Sequence, residues 1–303
     1  MSSDTIAILG FVILLILMML RVPVGMAMGL VGVGGFSYLV GWGPAFKNVG
    51  HTTMRTVTDY NFAVIPLFLL MGSFASTSGM SRELFRGANA FLGHLRGGLG
   101  IATIAACGGF AAICGSSVAT AATFSRVAYP EMRRHGYPQS FATGVIAAGG
   151  TLGIMIPPSN VFAVYGLITD QDIGKLFIAG VIPGLLAVSM YILTINIIGL
   201  VRPKFLPAGE RTPWTERLAA LRDIWAVLLL FVFIIGGLYG GLFTATEAAG
   251  AGAGGAFVIG VLRRRLSRAD ILRALLETTR TTAAVFTILI GALLFGYFLT
   301  VTQ

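Results

Sequence analysis

Apolar residues run along this chain in long blocks separated by short polar joints. Blocks long enough to cross about 30 Å of hydrocarbon lie near 4–22, 24–42, 60–80, 139–168, 174–200, 223–243, 246–263 and 282–302, which predicts eight membrane crossings. A ninth block, 98–129, is interrupted at Gly115-Ser116-Ser117, with Arg82, Arg86 and Arg96 before it and Arg126, Arg133 and Arg134 after it. An apolar segment that breaks in its middle and carries positive charge at both ends reads as a re-entrant helical hairpin, entering and leaving by one face. Two shorter stretches, 45–58 and 267–281, are amphipathic.

The order of these pieces repeats. Two spans, an amphipathic stretch and a third span (4–22, 24–42, 45–58, 60–80) are matched by two spans, an amphipathic stretch and a third span (223–243, 246–263, 267–281, 282–302). The first set starts outside and the second inside, so the predicted fold is an all-α polytopic membrane protein built on an inverted repeat. Such repeats belong to secondary transporters, whose sites lie near the midplane between them.

Composition agrees. Hydrophobic residues make up 56% of the 303 positions, with 41 glycines besides and only 21 Lys+Arg and 12 Asp+Glu. A soluble domain of this size cannot hide so much apolar surface, and the same figures exclude disordered, collagen-like and disulfide-scaffold chains. Cys107 and Cys114 fall on one face of one predicted helix, roughly 10 Å apart at its rise per residue, too far for a disulfide; they read as small core residues.

The net charge of +9 would suggest nucleic acid in a soluble protein, but here it reports topology instead. With the N-terminus outside, 18 of the 21 basic residues fall on one side, in the joints at Arg21, 82–96, 126–134, 202–222 and 263–280. That bias requires that 98–129 re-enter rather than cross, and it makes loops 81–97, 130–137, 202–222 and 264–281 cytoplasmic. The start, Met1-Ser2-Ser3-Asp4, has no positive n-region, and the first block ends in Arg21-Val22-Pro23, so 4–22 is expected to remain as an anchor.

Candidate chemistry sits where helices break, because unpaired backbone is tolerated in a membrane only beside a cavity or a ligand. One break is Cys114-Gly115-Ser116-Ser117-Val118-Ala119-Thr120, and the other is Gly149-Gly150-Thr151-Leu152-Gly153-Ile154-Met155-Ile156-Pro157-Pro158-Ser159-Asn160. Pro157 and Pro158 have no N–H, which frees carbonyls in 153–156. Freed carbonyls at a half-helix C-terminus suit Na⁺, and the N–H groups of the next half-helix, with Ser159 or Asn160, suit a carboxylate. A proline kink with Gly/Ser helix packing is the alternative reading of either break taken alone. Glu247 reads as a capping box with Thr244 or as a cation ligand, and Asp59 and Asn61 as caps or ligands. An enzyme is not indicated: His51, His94 and His135 are scattered, and no HExxH or CxxC is present.

At these residues the chain resembles a known family. Phe62-Ala63-Val64-Ile65-Pro66-Leu67-Phe68, Ala112 to Ala122 around the hairpin tip, Gly150 to Ser159, Leu176-Phe177-Ile178-Ala179-Gly180-Val181-Ile182-Pro183-Gly184 and Gly241-Leu242-Phe243-Thr244-Ala245-Thr246-Glu247-Ala248-Ala249 are similar to motifs of the large membrane subunit of tripartite ATP-independent periplasmic (TRAP) transporters. The resemblance spans essentially the whole chain. It implies a bacterial inner-membrane protein with a periplasmic N-terminus that imports an organic acid, such as a C4-dicarboxylate, by Na⁺ symport and an elevator motion. A small four-helix membrane subunit and a periplasmic substrate-binding protein are the implied partners, and no nucleic acid is.

By the same resemblance Na⁺ sits between Cys114, Gly115 and Ser116 at the hairpin tip and Gly153, Ile156 and Pro158 in the broken span, with Ser117, Pro157, Ser159 and Asn160 on the substrate side. Cys114 stands where serine is usual. On this reading residues 1–97 are scaffold spans with a connector and 98–168 the transport-domain hairpin and broken helix. Residues 169–222 are a span and a cytoplasmic loop, and 223–303 start the second repeat. Family members continue past the position of Gln303 with a second hairpin and a second Pro-Pro break, so an incomplete large subunit, inactive alone, is the expectation.

Overall fold

A computed structural model describes residues 3–203, 205–209 and 211–302; Met1, Ser2, Gln303 and two positions in the polar joint 202–222, Glu210 and the basic Lys204, lie outside the described residues. In the described residues fourteen α-helices follow one another: α1 (Ser3–Met19), α2 (Val24–Val40), α3 (Trp42–Thr58), α4 (Val64–Thr77), α5 (Met80–Leu92), α6 (Gly98–Cys114), α7 (Ser117–Arg134), α8 (Gln139–Met155), α9 (Asn160–Ile168), α10 (Ile173–Val201), α11 (Trp214–Asp223), α12 (Trp225–Tyr239), α13 (Ala245–Leu262) and α14 (Arg268–Val301). Among the described residues there is no strand, so the all-α membrane class stands.

Among the described residues four segments are each long and apolar enough to cross a membrane: Tyr60–Thr77, which is α4 with the 3₁₀ turn before it, α10, α13 and α14. The pair α8 and α9 qualifies together with a bend of 40°, and α11 and α12 do so with a bend of 46°. Helices α1, α2 and α6 are shorter apolar helices of 17 residues, about 25 Å at 1.5 Å per residue.

Three expectations change. The joint 81–97 contains a helix, α5, and 202–222 contains α11 behind the extended Pro213. The stretch 267–281 and the span 282–302 are one continuous 34-residue helix, α14. Nothing between them can stop a helix, since Thr278-Thr279-Arg280-Thr281-Thr282 is polar but holds neither Gly nor Pro. Its counterpart in the first repeat is interrupted: α3 ends at Asp59, whose carboxylate accepts the Asn61 N–H at 2.9 Å, and a 3₁₀ turn precedes α4.

The chain divides into two compact units, residues 1–62 with 279–303, and residues 63–278. In the first, Leu14 of α1, Ala27 and Val31 of α2, and Phe295 and Phe298 of α14 form the core, with Phe11 edge-on to Phe295 at 5.2 Å. Glycines let the backbones approach: a Cβ on Gly32 would stand 2.6 Å from the main chain at Leu294 and Phe295. Without a strong hydrophobic drive between helices in lipid, such close van der Waals packing is what holds them.

The second unit is built around α6. Fifteen of its 17 residues are buried, and α4, α5, α7, α8 and α10 surround it. Cys107 and Cys114 are free thiols inside this core, with Cys107 against Gly149 of α8. Helix α5 is anchored by charge. Glu83, 4% exposed in its side chain, takes both Nη groups of Arg263 at 2.8 Å and an Nη of Arg265 at 2.6 Å, which fastens α5 to the end of α13.

Candidate functional site

The two sequence breaks lie in the second unit and meet there. Helix α6 ends at Gly115, whose φ of 61° is the left-handed conformation that glycine adopts without penalty. Its N–H caps Ala111 O at 3.1 Å. Ser116 is extended and N-caps α7, its hydroxyl accepting the Ala119 N–H, while its carbonyl accepts both the N–H and the hydroxyl of Thr120, at 3.0 and 2.8 Å.

At the second break α8 ends at Met155, and the extended Ile156 donates its N–H to Leu152 O at 3.0 Å. The carbonyls of Gly153 and Ile154 would next receive the N–H groups of residues 157 and 158, which are prolines and have none. The Ser159 hydroxyl replaces one of them, donating to Ile154 O at 2.7 Å and accepting the Phe162 N–H as the N-cap of α9. Gly153 O receives no such substitute among the described residues.

The two breaks are tied directly. Asn160 at the start of α9 donates its N–H to Gly115 O at 3.2 Å. A Cβ on Gly115 would stand 2.8 Å from the Pro158 oxygen, and one on Gly153 would stand 2.5 Å from the Ser116 oxygen. Hence the C-terminus of α6 faces the N-terminus of α9, and the C-terminus of α8 faces the N-terminus of α7. Each helix end carries roughly half an elementary charge, negative at C-termini and positive at N-termini. One small region thus offers carbonyl oxygens to a cation and N–H groups to an anion.

Of the residues singled out from the sequence, Gly115, Ser116, Gly153, Pro158, Ser159 and Asn160 are gathered here. Pro157 is buried beside them. Ser117 presents its carbonyl to Gly150 of α8, 3.2 Å from a Cβ placed there. Ile156 turns its side chain away, onto Gly108 and Gly184, so only its main chain faces the break. Cys114 packs on Gly72 of α4, a Cβ there lying 2.9 Å from its Cα.

Thr120, already part of the hairpin-tip break in the sequence, Gly72 and the Ser76–Thr123 hydroxyl pair at 3.0 Å complete the surroundings. Gly72, Ser76 and Thr123 were not singled out from the sequence, although Gly72 and Ser76 are small residues four apart on one apolar span. Glu247 lies elsewhere and closes the Thr244 capping box, its carboxylate accepting the Thr244 N–H at 2.8 Å. Among the described residues no three His, Cys, Asp or Glu side chains gather into a metal site. The donors at the breaks are neutral, hard oxygens, which suit a monovalent cation of low charge density rather than a transition metal.

Paired broken helices of this kind recur in membrane transporters, and comparison with known proteins places this chain in a family. The family described as "Tripartite ATP-independent periplasmic transporter, DctM component" matches residues 11–303, and the chain belongs to that family. It is 45% identical over 250 residues to the C4-dicarboxylate TRAP transporter large permease protein DctM of Pseudomonas aeruginosa, covering 82% of this chain and 58% of that protein. It is 34% identical over 306 residues to the protein of the same description from Rhodobacter capsulatus, covering 96% and 69%. To the isethionate TRAP transporter permease protein DctMQ of Oleidesulfovibrio alaskensis it is 35% identical over 293 residues, covering 94% and 45%. The chain therefore spans between about half and two thirds of the length of the relatives it matches.

Proposed function

We propose that this chain is the permease part of a Na⁺-coupled importer of small organic acids, with Na⁺ held at the meeting of the two breaks and the acid beside it. The observation that carries the reading is the Asn160 N–H to Gly115 O bond, which joins a cation-favouring helix end to an anion-favouring one. The carbonyl of Gly153, left without a donor by Pro157, supplies a further oxygen ligand. Relatives named for C4-dicarboxylate and isethionate support an anionic solute without choosing between carboxylate and sulfonate. A small four-helix membrane subunit and a periplasmic binding protein are the proposed partners, in keeping with the tripartite description of the family. The proposed orientation puts the N-terminus in the periplasm, and an elevator motion is proposed from family likeness.

The test is uptake of labelled succinate by proteoliposomes holding this protein with its membrane partner and supplied with its binding protein. An inward Na⁺ gradient should drive accumulation, and an equal K⁺ gradient should not. One inward Na⁺ gains about 2.3 kcal/mol per 100 mV, so two ions per dianion leave transport indifferent to voltage and three make it responsive. Undiminished uptake without Na⁺ would eliminate the ion site.

A further inference from the structure

Polar side chains buried at the two breaks are nearly all engaged. Ser159, fully buried, bonds Ile154 O and the Phe162 N–H, and Thr120, also fully buried, donates to Ser116 O. Asn160 differs. It is 9% exposed, both Nδ2 and Oδ1 are buried, and neither has a hydrogen-bond partner among the described residues. Buried amides are almost always paired, so an unpaired one at a ligand-favouring helix junction calls for an absent partner.

Its position limits what that partner is. The Asn160 main-chain N–H is held by Gly115 O, and a Cβ on Gly115 would lie 3.5 Å from Nδ2, so the amide rests against the hairpin tip. Gly115 takes the left-handed turn that brings the hairpin tip against this amide, with the Pro158 oxygen 2.8 Å from where its Cβ would be. An amide is bifunctional, with an oxygen that accepts and an NH₂ that donates. A lone cation would satisfy only the oxygen, and a lone carboxylate only the NH₂.

We infer that the Asn160 side chain is the coupling group of the site: its Oδ1 ligates Na⁺ while its Nδ2 donates to the carboxylate of the transported acid. The inference rests on the ion-and-acid reading above and adds to it a single side chain through which each ligand fixes the amide for the other. Such coupling is reciprocal: Na⁺ tightens acid binding by the factor by which the acid tightens Na⁺ binding.

The test uses the detergent-solubilised chain, with the thermal unfolding midpoint followed against NaCl at constant ionic strength in KCl, and against succinate as the carboxylate probe. In the wild type Na⁺ raises the midpoint, and succinate raises it further only when Na⁺ is present. In Asn160→Ala the midpoint in KCl is equal to or above wild type, since no bond is lost there, yet half-saturation by Na⁺ moves up about tenfold or more. In Asn160→Asp the added charge keeps the Na⁺ response and abolishes that to succinate, whose carboxylates it repels.

Asn160→Ala with a wild-type Na⁺ response overturns the inference and leaves the ion site standing. So does a midpoint that falls equally in KCl and NaCl, which would mark Asn160 as merely structural. A wild-type chain indifferent to Na⁺ overturns the ion site and the inference together.

Discussion

Single residues at the two breaks carry unequal weight, and the geometry ranks them. Gly115 holds a φ of 61° with the Pro158 carbonyl 2.8 Å from where a Cβ would be. Alanine there pays the left-handed penalty of about 1–2 kcal/mol and meets backbone that cannot yield cheaply. Cys114, one residue earlier, is buried against Gly72 in an ordinary helical position, where a serine of nearly the same shape fits and can bond its own helix. Gly115→Ala should therefore lower stability by about 2 kcal/mol or more, and Cys114→Ser by less than about 1 kcal/mol, read as unfolding midpoints of the purified protein. Equal effects would show that the turn tolerates a side chain. Both break positions were legible in the sequence, because Gly-Ser-Ser and Pro-Pro interrupt apolar runs by their own backbone chemistry. The Asn160 to Gly115 bond was not, since it joins residues 45 apart and leaves no periodic mark.

Elements were legible where hydropathy and helix-stopping residues agree, and obscured where they do not. Helix α5 looks like a polar joint because Arg82, Glu83 and Arg86 interrupt it, yet Glu83 points inward to Arg263 and Arg265 rather than to solvent. Helix α14 was divided at a polar stretch that hydropathy marks and backbone chemistry does not. The Glu83 cluster matters for stability because removing one member of a buried pair leaves the other charge uncompensated, at about 3–5 kcal/mol. The ion pair of Arg86 with Asp223 is the contrast, at 3.8 Å with side chains 69% and 41% exposed. Solvent screens it to about 0–1 kcal/mol at most. Glu83→Gln should thus lower the unfolding midpoint by about 5–10 °C while Arg86→Ala leaves it within about 2 °C. A silent Glu83→Gln would mean that the two arginines find other partners.

At the scale of the whole molecule, the association of residues 1–62 with 279–303 depends on contacts between chain ends. Element order alone could not announce it, although the small residues that permit it, Gly10, Gly25 and Gly32, stand plainly in the first two apolar blocks. Topology is different, because charge placement is a property of the linear sequence. Eighteen of 21 basic residues share one side only if α6 and α7 form a hairpin that returns to the face it entered. Were that pair to cross, every later joint would change side, and the five basic residues of 202–222 and the six of 263–280 would be translocated. A single new cysteine decides between the two. Native Cys107 and Cys114 are buried and should not react with a membrane-impermeant maleimide, so labelling reports the introduced site. In intact cells Gln171→Cys, at an exposed position before α10, should label, and Arg133→Cys, exposed near the end of α7, should label only after permeabilisation. Labelling of position 133 in intact cells would make α6–α7 a crossing pair. The two breaks would then meet with the charged joints of the following segments on the periplasmic side, and a site built on a re-entrant tip would have to be abandoned.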